Sequence, residues 1–398
     1  MLIDGGQIVD VDRSGAPAPS DAKVVHLDDS TTLLPGLVDA HSHLAFDPHG
    51  SGEQQLLNDN DATVLARMRR HAAQALRSGV TTLRDLGDRD YLALRLRDGD
   101  ARDLAPDSDD FASDPTNPVS RREDPMSDRE NAVLAPEISA AGPPLTSRGG
   151  HCWFLGGEAD DPREVAEAVR NRARHGVDVV KIMATGGMGA NPDTAQYDFP
   201  ALRALTETAR DHGLRTTAHA HAAVGIRDAV SAGVDGIEHC TFVTNDGVQL
   251  DSEIVDTMAA AGTFVGCTVV RPRDDMPDAV LGTIEPYWEN QATMHRRGVR
   301  VVCCTDAGIN PVKTHDVLAA DLAFFASRVG TNEEALASVT SLAAISCGLG
   351  HRKGRLAPGY DADLLAVTGN PVHDPRVLGA ITAIYRAGRP VREPTTRP

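Results

Sequence analysis

The sequence predicts an α/β protein, a parallel (β/α)8 TIM barrel with a small β-sandwich formed by the N- and C-terminal segments. Eight short apolar segments, each typical of a buried strand, recur between residues 36 and 308. Amphipathic segments with helical spacing separate most of them, and several end in glycine, as helices often do. Strand-like alternation returns at both ends of the chain.

The regularity of these units decides between two α/β architectures. An open doubly wound sheet is the alternative, but it rarely contains eight such regular units. We expect a barrel domain over residues 36–349 and a small β-sandwich domain formed by residues 1–35 and 350–398. The predicted barrel strands are residues 36–44, 79–87, 136–142, 177–187, 214–222, 234–240, 263–270 and 299–308.

One segment does not fit the barrel pattern. Residues 99–131 lie between the second and third predicted strands and are polar, acidic and rich in proline. A segment with almost no large apolar residue cannot form a core. We interpret it as an acidic surface insertion without stable structure, and a lid over the site is the alternative.

The overall composition limits the classes of partner. The 398-residue chain carries a net charge of −18, whereas nucleic acids and anionic membranes bind basic patches. The N-terminus, MLIDGGQIVDVD, resembles no signal peptide, and no apolar stretch reaches the roughly 20 residues of a membrane helix. The six cysteines form no Cys-x-x-Cys pair, which favours reduced thiols. We expect a cytoplasmic protein with a small-molecule substrate and no nucleic-acid or membrane partner.

Polar side chains end several of the predicted strands. His41 and His43 end the first one, and because alternate residues of a strand share a face, both imidazoles can enter the barrel mouth. Active sites lie at the carboxyl ends of barrel strands, and paired neutral imidazoles suit a divalent metal ion. The ends of strands five, six and eight add His219, His221, His239 and Asp306. Each residue alone could belong to the core, but their common rim predicts a metal site.

Lys181 lies inside the fourth predicted strand, in the segment VDVVKIMATGG. A buried lysine needs a partner. Three roles are compatible with the sequence: a Schiff-base nucleophile, an ion pair with an acid such as Asp306, or a carbamate formed from the neutral amine and carbon dioxide. The two carbamate oxygens can bridge metal ions roughly 3.5–4 Å apart, and the charge of the ions favours this anion over an ammonium. Given the neighbouring histidines and aspartate, we favour the carbamate.

Several motifs, in this order, resemble the amidohydrolase superfamily: PGLVDAHSHL, KIMATGG, HAHA followed by GVDGIEH, TDAG and GRLAPGYDADLL. More narrowly, they are similar to its prolidase-like, binuclear-metal branch, which includes Xaa-Pro dipeptidases, related carboxypeptidases and ochratoxinase-type amidases. The resemblance covers nearly the whole chain apart from the acidic insertion. It implies the split arrangement of barrel and small β-unit. It also implies two divalent metal ions, expected to be zinc, as cofactors.

The resemblance further implies a set of metal ligands. The two histidines of the first strand would bind the more buried ion, and histidines of strands five and six would bind the second. The lysine, carboxylated, would bridge both ions. The aspartate would bind the first ion and take the proton of the bridging water. The implied ligands are His41, His43, Lys181, His219, His239 and Asp306.

Other residues are expected to contact the substrate. In relatives the first histidine of such a pair is the ligand, so we expect His219 to bind metal and His221 to face the substrate. His151 follows the third strand, where similar enzymes use a histidine to hold the substrate carbonyl. Tyr197 resembles a tyrosine that meets a substrate carboxylate. Arg271 is a further candidate for that carboxylate, with a solvated surface arginine as the alternative.

The expected activity is hydrolysis of an amide bond by a metal-bridging hydroxide, in a dipeptide of the Xaa-Pro type or an N-acyl amino acid. A deaminase or imidazolonepropionase-like hydrolase of a cyclic amide or amidine is the nearest alternative, and a lactonase is the next. A non-catalytic barrel scaffold is disfavoured because all six candidate ligands are present. Barrels of this type often pair, but the sequence specifies no interface, which leaves a homo-oligomer open.

Overall fold

The computed structural model describes residues 1–12, 14–15, 17–99, 135–188, 190–273, 276 and 278–394. Beyond residue 99, the predicted acidic insertion lies outside these residues. Each of the eight predicted barrel segments contains a strand. The strands are β1 (Leu2–Asp4), β2 (Gln7–Asp10), β3 (Thr31–Pro35), β4 (Leu37–Ser42), β5 (Val80–Asp85), β6 (Glu137–Ala140), β7 (Val179–Met183), β8 (Thr185–Gly187), β9 (Ala190–Ala195), β10 (Arg215–Ala222), β11 (Gly236–Thr244), β12 (Gly247–Val248), β13 (Phe264–Cys267), β14 (Arg300–Cys303), β15 (Leu364–Thr368), β16 (Ile381–Arg386) and β17 (Arg389–Arg392).

Helices fill most of the connections between the central strands. Within the described ranges, no helix is both long and apolar enough to cross a membrane. The helices are α1 (Gly52–Asn58), α2 (Asp61–Arg77), α3 (Leu92–Asp98), α4 (Pro162–His175), α5 (Phe199–Asp211), α6 (Ala223–Ala232), α7 (Ser252–Ala261), α8 (Asp278–Arg296), α9 (Leu318–Arg328), α10 (Asn332–Ser338) and α11 (Ser341–Ser346).

Helix α4 shows how the local sequence determines an element. The Asp161 side chain accepts hydrogen bonds from two backbone N–H groups of the first turn, and Pro162 occupies the first helical position. Gly176 ends the helix with a φ of 77°, which glycine adopts without strain. Val165 and Val169, one turn apart, are buried on the core-facing side. The helix thus returns the chain to the start of β7.

The central strands are all parallel. Strands β4, β5 and β6 pair in that order, and β7, β10, β11, β13 and β14 form a second series. The parallel bridges Ser42–Ala307 and Leu145–Ile182 connect the two series. The structure is therefore α/β, as predicted. Because the strands run parallel, their carboxyl ends share one side of the sheet, where the candidate ligands lie.

The two ends of the chain share one antiparallel sheet. Strand β3 pairs with β15, which pairs with β16, and β16 pairs with β17. Strands β1 and β2 form a hairpin that is bridged to the C-terminal segment between Gln7 and Asp361. This pairing of chain start with chain end agrees with the expected small β-unit. The division into two domains stays a prediction.

A largely buried ion network connects the C-terminal segment to the central parallel strand β6. The Nζ atom of Lys353 lies 3.0 Å from Glu137 Oε2 and 2.6 Å from Asp363 Oδ2. Arg352 and Arg386 also donate hydrogen bonds to Glu137. Burial acts to raise the pKa of Glu137, but the hydrogen bond from Arg352 and the charge of Lys353 outweigh it and hold the pKa at about 2. The ionised carboxylate therefore stabilises the folded chain.

We expect Glu137→Gln to destabilise the protein in a pH-dependent way. The pKa of Glu137 is depressed from 4.5, so its contribution is complete above pH 4.5 and is lost as the pH falls towards 2. The loss in unfolding free energy should be about 1–3 kcal/mol at pH 7 and should shrink at pH 4 and pH 3. Urea unfolding at the three pH values measures it. Glu167→Gln, at an exposed ion pair, is the control. Equal stability of Glu137→Gln and wild type at pH 7 would contradict the prediction.

Candidate metal centre

Three ligand atoms from two neighbouring strand ends converge in the interior. His41 Nε2, His43 Nε2 and Asp306 Oδ1 are separated from one another by 3.3 Å in each pair. All three side chains are buried. The backbone fixes their relation, because the N–H of Asp306 donates to the carbonyl of His41 and the N–H of His43 donates to that of Ala307. Strand β4 and the segment after β14 thus build the group together.

The hydrogen bonds of the two Nδ1 atoms determine which ring nitrogen of His41 and of His43 carries the proton. His41 Nδ1 lies 2.8 Å from Glu238 Oε2, and His43 Nδ1 lies 3.4 Å from the carbonyl oxygen of Gly87. Both partners are acceptors, so each neutral ring carries its proton on Nδ1. Two nitrogen lone pairs then face the Asp306 carboxylate. Three buried acceptors at this spacing repel one another unless a cation lies among them.

The spacing of this group fits a metal ion. Two ligand atoms that are each about 2.0–2.1 Å from a tetrahedral zinc ion are about 3.3–3.4 Å apart. The 3.3 Å separations among His41, His43 and Asp306 agree with that value. Oxygen and imidazole nitrogen are also the donors that zinc and similar divalent ions accept. This group is therefore suited to hold a divalent metal ion.

A second group of ligands lies at the ends of β10 and β11. One ligand atom from each of His219, His221 and His239 lies within 4.8 Å of the others, and all three residues are buried. His221 Nδ1 lies 2.9 Å from Thr241 Oγ1, and His239 Nδ1 lies 2.6 Å from Thr268 Oγ1. These contacts leave Nε2 of both rings available as a ligand. The structure thus places His221 in the same group as the two histidines expected to be ligands.

Burial keeps these imidazoles neutral, which metal binding requires. Burial, followed by the charge of Lys181, lowers the pKa of His41 to about 4. Burial also lowers the pKa of His221 to about 3 and holds the pKa values of His219 and His239 well below the ordinary range. At neutral pH all four rings therefore present lone pairs.

Two of the candidate ligands have an unusual backbone conformation. His239 has a φ of 69° and Asp306 has a φ of 54°, in the left-handed region that non-glycine residues rarely adopt. Cys240 follows with a φ of 51°. Such conformations persist only where the surrounding structure stabilises them, and they cluster at functional sites.

Lys181 lies on β7 among these ligands. Its side chain is 1% exposed, and its Nζ atom has no hydrogen-bond partner among the described residues. Burial lowers the pKa of this amine to about 8. Neither Asp306 nor any other described acid lies within ion-pair distance of Nζ. The structure therefore does not provide the plain ion pair that was one of the alternatives for Lys181.

A buried polar network behind His41 was not anticipated from the sequence. Glu238 accepts hydrogen bonds from His41 Nδ1, from Arg84 Nη2 at 2.9 Å and from Thr217 Oγ1 at 2.6 Å. Burial acts to raise the pKa of Glu238, but its interaction with His41 Nδ1–H and the charge of Arg84 outweigh it, and the pKa lies far below its ordinary value. Arg84 Nε also donates to the carbonyl of Ala40 at 2.7 Å. The network fixes the ring orientation and tautomer of His41.

The two ligand groups open into one cavity of about 470 Å³. His151 lines it, with its ring 4.6 Å from that of His219 between centroids. A Cβ at Gly187 would come within 2.5 Å of the His151 ring, so glycine at this end of β8 leaves the space that the ring occupies. Burial lowers the pKa of His151 to about 4, which leaves it neutral. The structure thus brings His151 to the metal-ligand groups, as expected.

Two residues expected to bind a substrate carboxylate do not line this cavity. Tyr197 is buried, and its hydroxyl donates to the carbonyl oxygen of Ala159 at 2.6 Å. Arg271 lies with Nε 3.5 Å from Asp321 Oδ1. A cation that the sequence did not single out, Lys313, lies in the cavity wall instead. The structure therefore leaves Tyr197 and Arg271 out of the residues that line this cavity, and their expected contact with a substrate carboxylate stays a prediction.

We expect Glu238→Gln to weaken metal binding while the fold is retained. Gln cannot offer a charged acceptor to His41 Nδ1–H, so the ring loses its fixed orientation, and zinc affinity should fall about 10- to 100-fold. Competition for zinc with a chromophoric chelator measures this affinity. Glu53→Gln is the control, because Glu53 lines the cavity without contacting a candidate ligand. Zinc affinity equal to that of the wild type would contradict the role of Glu238.

Comparisons with known proteins agree with this geometry. The Amidohydrolase family matches residues 32–391. Ochratoxinase from Aspergillus niger is 28% identical over 259 residues, which are 60% of this chain and 52% of that protein. The chain therefore spans about half the length of the first curated relatives it matches.

Solved structures give the same picture. A Xaa-Pro dipeptidase with bound methionine in its active site has a TM-score of 0.79 and 25% identity, over 98% of this chain and 94% of its own. The structure of A. niger ochratoxinase has a TM-score of 0.71 over 92% of this chain and 84% of its own, and at 23% identity this likeness concerns the fold. These relatives confirm the resemblance to the prolidase-like branch. Because the family match covers residues 32–391, most of the chain, the chain belongs to the amidohydrolase family.

Proposed function

We propose that this protein is a metal-dependent hydrolase that cleaves the amide bond of a dipeptide or an N-acyl amino acid. One observation carries the proposal: two buried ligand groups lie beside the amine of Lys181, for which the described residues provide no hydrogen-bond partner. Membership of the amidohydrolase family supports C–N bond hydrolysis. The names of the Xaa-Pro dipeptidase and of ochratoxinase support an amide substrate. The proposal includes closure of the parallel strands into a (β/α)8 barrel.

We infer that the two groups hold two divalent metal ions, expected to be zinc. The group of His41, His43 and Asp306 would hold one ion. The second group contains one histidine more than the resemblance requires, so His219 and His221 both remain candidates beside His239. The additional histidine would face the substrate.

Lys181 would complete the site as a carbamate. Carbon dioxide adds to the neutral form of the amine. Because the pKa of Lys181 is about 8, a substantial fraction of the amine is neutral near neutral pH. The product is an anion with two oxygens, and it would remove two difficulties at once. The buried amine would no longer lack a partner, and the site would gain negative charge between two cations.

The residues around the cavity suit amide hydrolysis. When bound, the metal ions supply Lewis acidity, which lowers the pKa of water and polarises a carbonyl. Asp306 would accept the proton of the attacking water and pass it to the leaving nitrogen. The neutral ring of His151 would donate a hydrogen bond to the substrate carbonyl oxygen as negative charge develops there. Apolar side chains in the cavity wall, such as Phe46 and Val270, would exclude water.

The deaminase alternative is not supported by the position of Glu238. A deaminase needs a group that carries protons to its substrate. Glu238, in strand β11, is an acid near the site, but His41, Arg84 and Thr217 occupy its oxygens, and it does not line the cavity. It is therefore unsuited to move a proton to a substrate.

Lys181→Ala tests the proposed function. Without the bridging group, zinc content should fall from about two per chain, and amide hydrolysis should fall by more than about 100-fold. Metal analysis of protein grown with bicarbonate, and a screen of Xaa-Pro dipeptides and N-acyl amino acids, measure the two effects. Lys23→Ala is the control, because the Lys23 side chain is 80% exposed. Full activity in Lys181→Ala would refute the proposed role of the lysine.

A further inference from the structure

The leaving half of the proposed substrates, the amine released from the amide, carries a carboxylate that needs a partner in the cavity. Tyr197 and Arg271 do not line the cavity. Among the described residues of its wall, the primary amines are Lys181 and Lys313. Lys181 is expected to be a carbamate. Lys313 is therefore the cation to be considered for this carboxylate.

The loop after β14 is folded so that Lys313 returns to the site. The N–H of Gly308 donates to the carbonyl of Lys313 at 2.8 Å, and the N–H of Lys313 donates to that of Asn310 at 3.0 Å. Gly308 has a φ of 103°, and a Cβ there would lie 2.4 Å from the carbonyl oxygen of His43. The loop thus requires glycine at this position to close. It places Lys313 Nζ 2.9 Å from Asp306 Oδ2.

The ammonium of Lys313 has unused capacity for hydrogen bonds. It carries three N–H donors, and among the described residues one of them is used, on Asp306 Oδ2. The side chain is only 8% exposed. A donor buried in a low-dielectric environment interacts more strongly with an incoming anion than a donor exposed to water does. Because Lys313 lines the cavity, a substrate bound there would be a partner for the two remaining donors.

We propose that Lys313 binds the α-carboxylate of the leaving half and so selects for substrates with a free carboxylate next to the scissile nitrogen. This inference rests on the proposed function. In that function Asp306 protonates the leaving nitrogen, and Lys313 is its immediate neighbour. The α-carboxylate is separated from that nitrogen by one carbon atom, so an anion at Lys313 is on the required side of the bond.

The remaining cavity wall supports the same orientation. Most of its other side chains are apolar, and its further donors outside the histidines, Thr241, Thr268, Tyr287 and Asn310, are uncharged, so none of them offers a carboxylate a charged partner. Glu53, the acid of the wall outside the metal-ligand groups, would repel one. The apolar part of the wall suits an uncharged acyl half. Its members include Phe46, Phe154, Met183, Met188, Val269, Val270, Ile284 and Ile309.

The experiment compares N-benzoyl-L-alanine with N-benzoyl-L-alaninamide, by release of benzoate from each. The wild type should prefer the acid by about 10- to 100-fold in kcat/KM, the range expected for a charge-assisted pair. Lys313→Met should remove most of this preference, chiefly through the KM of the acid, and Lys313→Arg should restore part of it. Zinc content is measured for every variant.

Each other outcome has a defined meaning. Equal loss of rate on both substrates in Lys313→Met, or loss of zinc, would mean that Lys313 acts only through Asp306 and would overturn the inference. A wild type that cleaves acid and amide equally well would refute carboxylate selection but leave the proposed function intact. A zinc-loaded wild type that cleaves neither substrate would count against the proposed function itself and overturn the inference with it.

Discussion

Mutual repulsion among buried acceptor atoms is the constraint on which this site depends. His41, His43 and Asp306 point lone pairs at one another over 3.3 Å in the interior. Without a cation, the repulsion among three buried acceptors raises the free energy of the folded protein. A cation among the three atoms makes the net interaction attractive. The parallel strands supply the arrangement, because their carboxyl ends meet on one side of the sheet. The fold therefore positions buried acceptor groups that suit a metal ion.

The groups behind the ligands serve the same requirement. Glu238, held by Arg84 and Thr217, fixes the tautomer of His41, and threonine hydroxyls contact the outer nitrogens of His221 and His239. Lys181 presents the complementary difficulty, an amine without a described partner. The proposed carbamate would resolve it, because it would turn a potential cation into an anion beside the proposed metal ions. The charged groups that stabilise the folded site are therefore also the groups on which the proposed hydrolysis depends.

The sequence predicted the elements whose signal is local. Apolar runs predicted the eight central strands, and the residues that end them predicted the ligand groups. Period-two side-chain alternation placed His41 with His43 and His219 with His221. Features set by loop paths could not be predicted in this way. The closed loop that returns Lys313 to Asp306, and the contact that holds the Tyr197 hydroxyl on Ala159, depend on tertiary packing. Glu238 precedes a ligand in the sequence, but only the fold brings it to His41.

Direct detection of the carbamate on Lys181 tests the central claim. The zinc-loaded protein is equilibrated with ¹³C-bicarbonate, and its ¹³C NMR spectrum is compared with that of Lys181→Ala. The account predicts one protein-bound carbamate resonance in the wild type and none in the variant. A wild type that binds two zinc ions without such a resonance would contradict the account, because the buried amine would then hold no bridging anion.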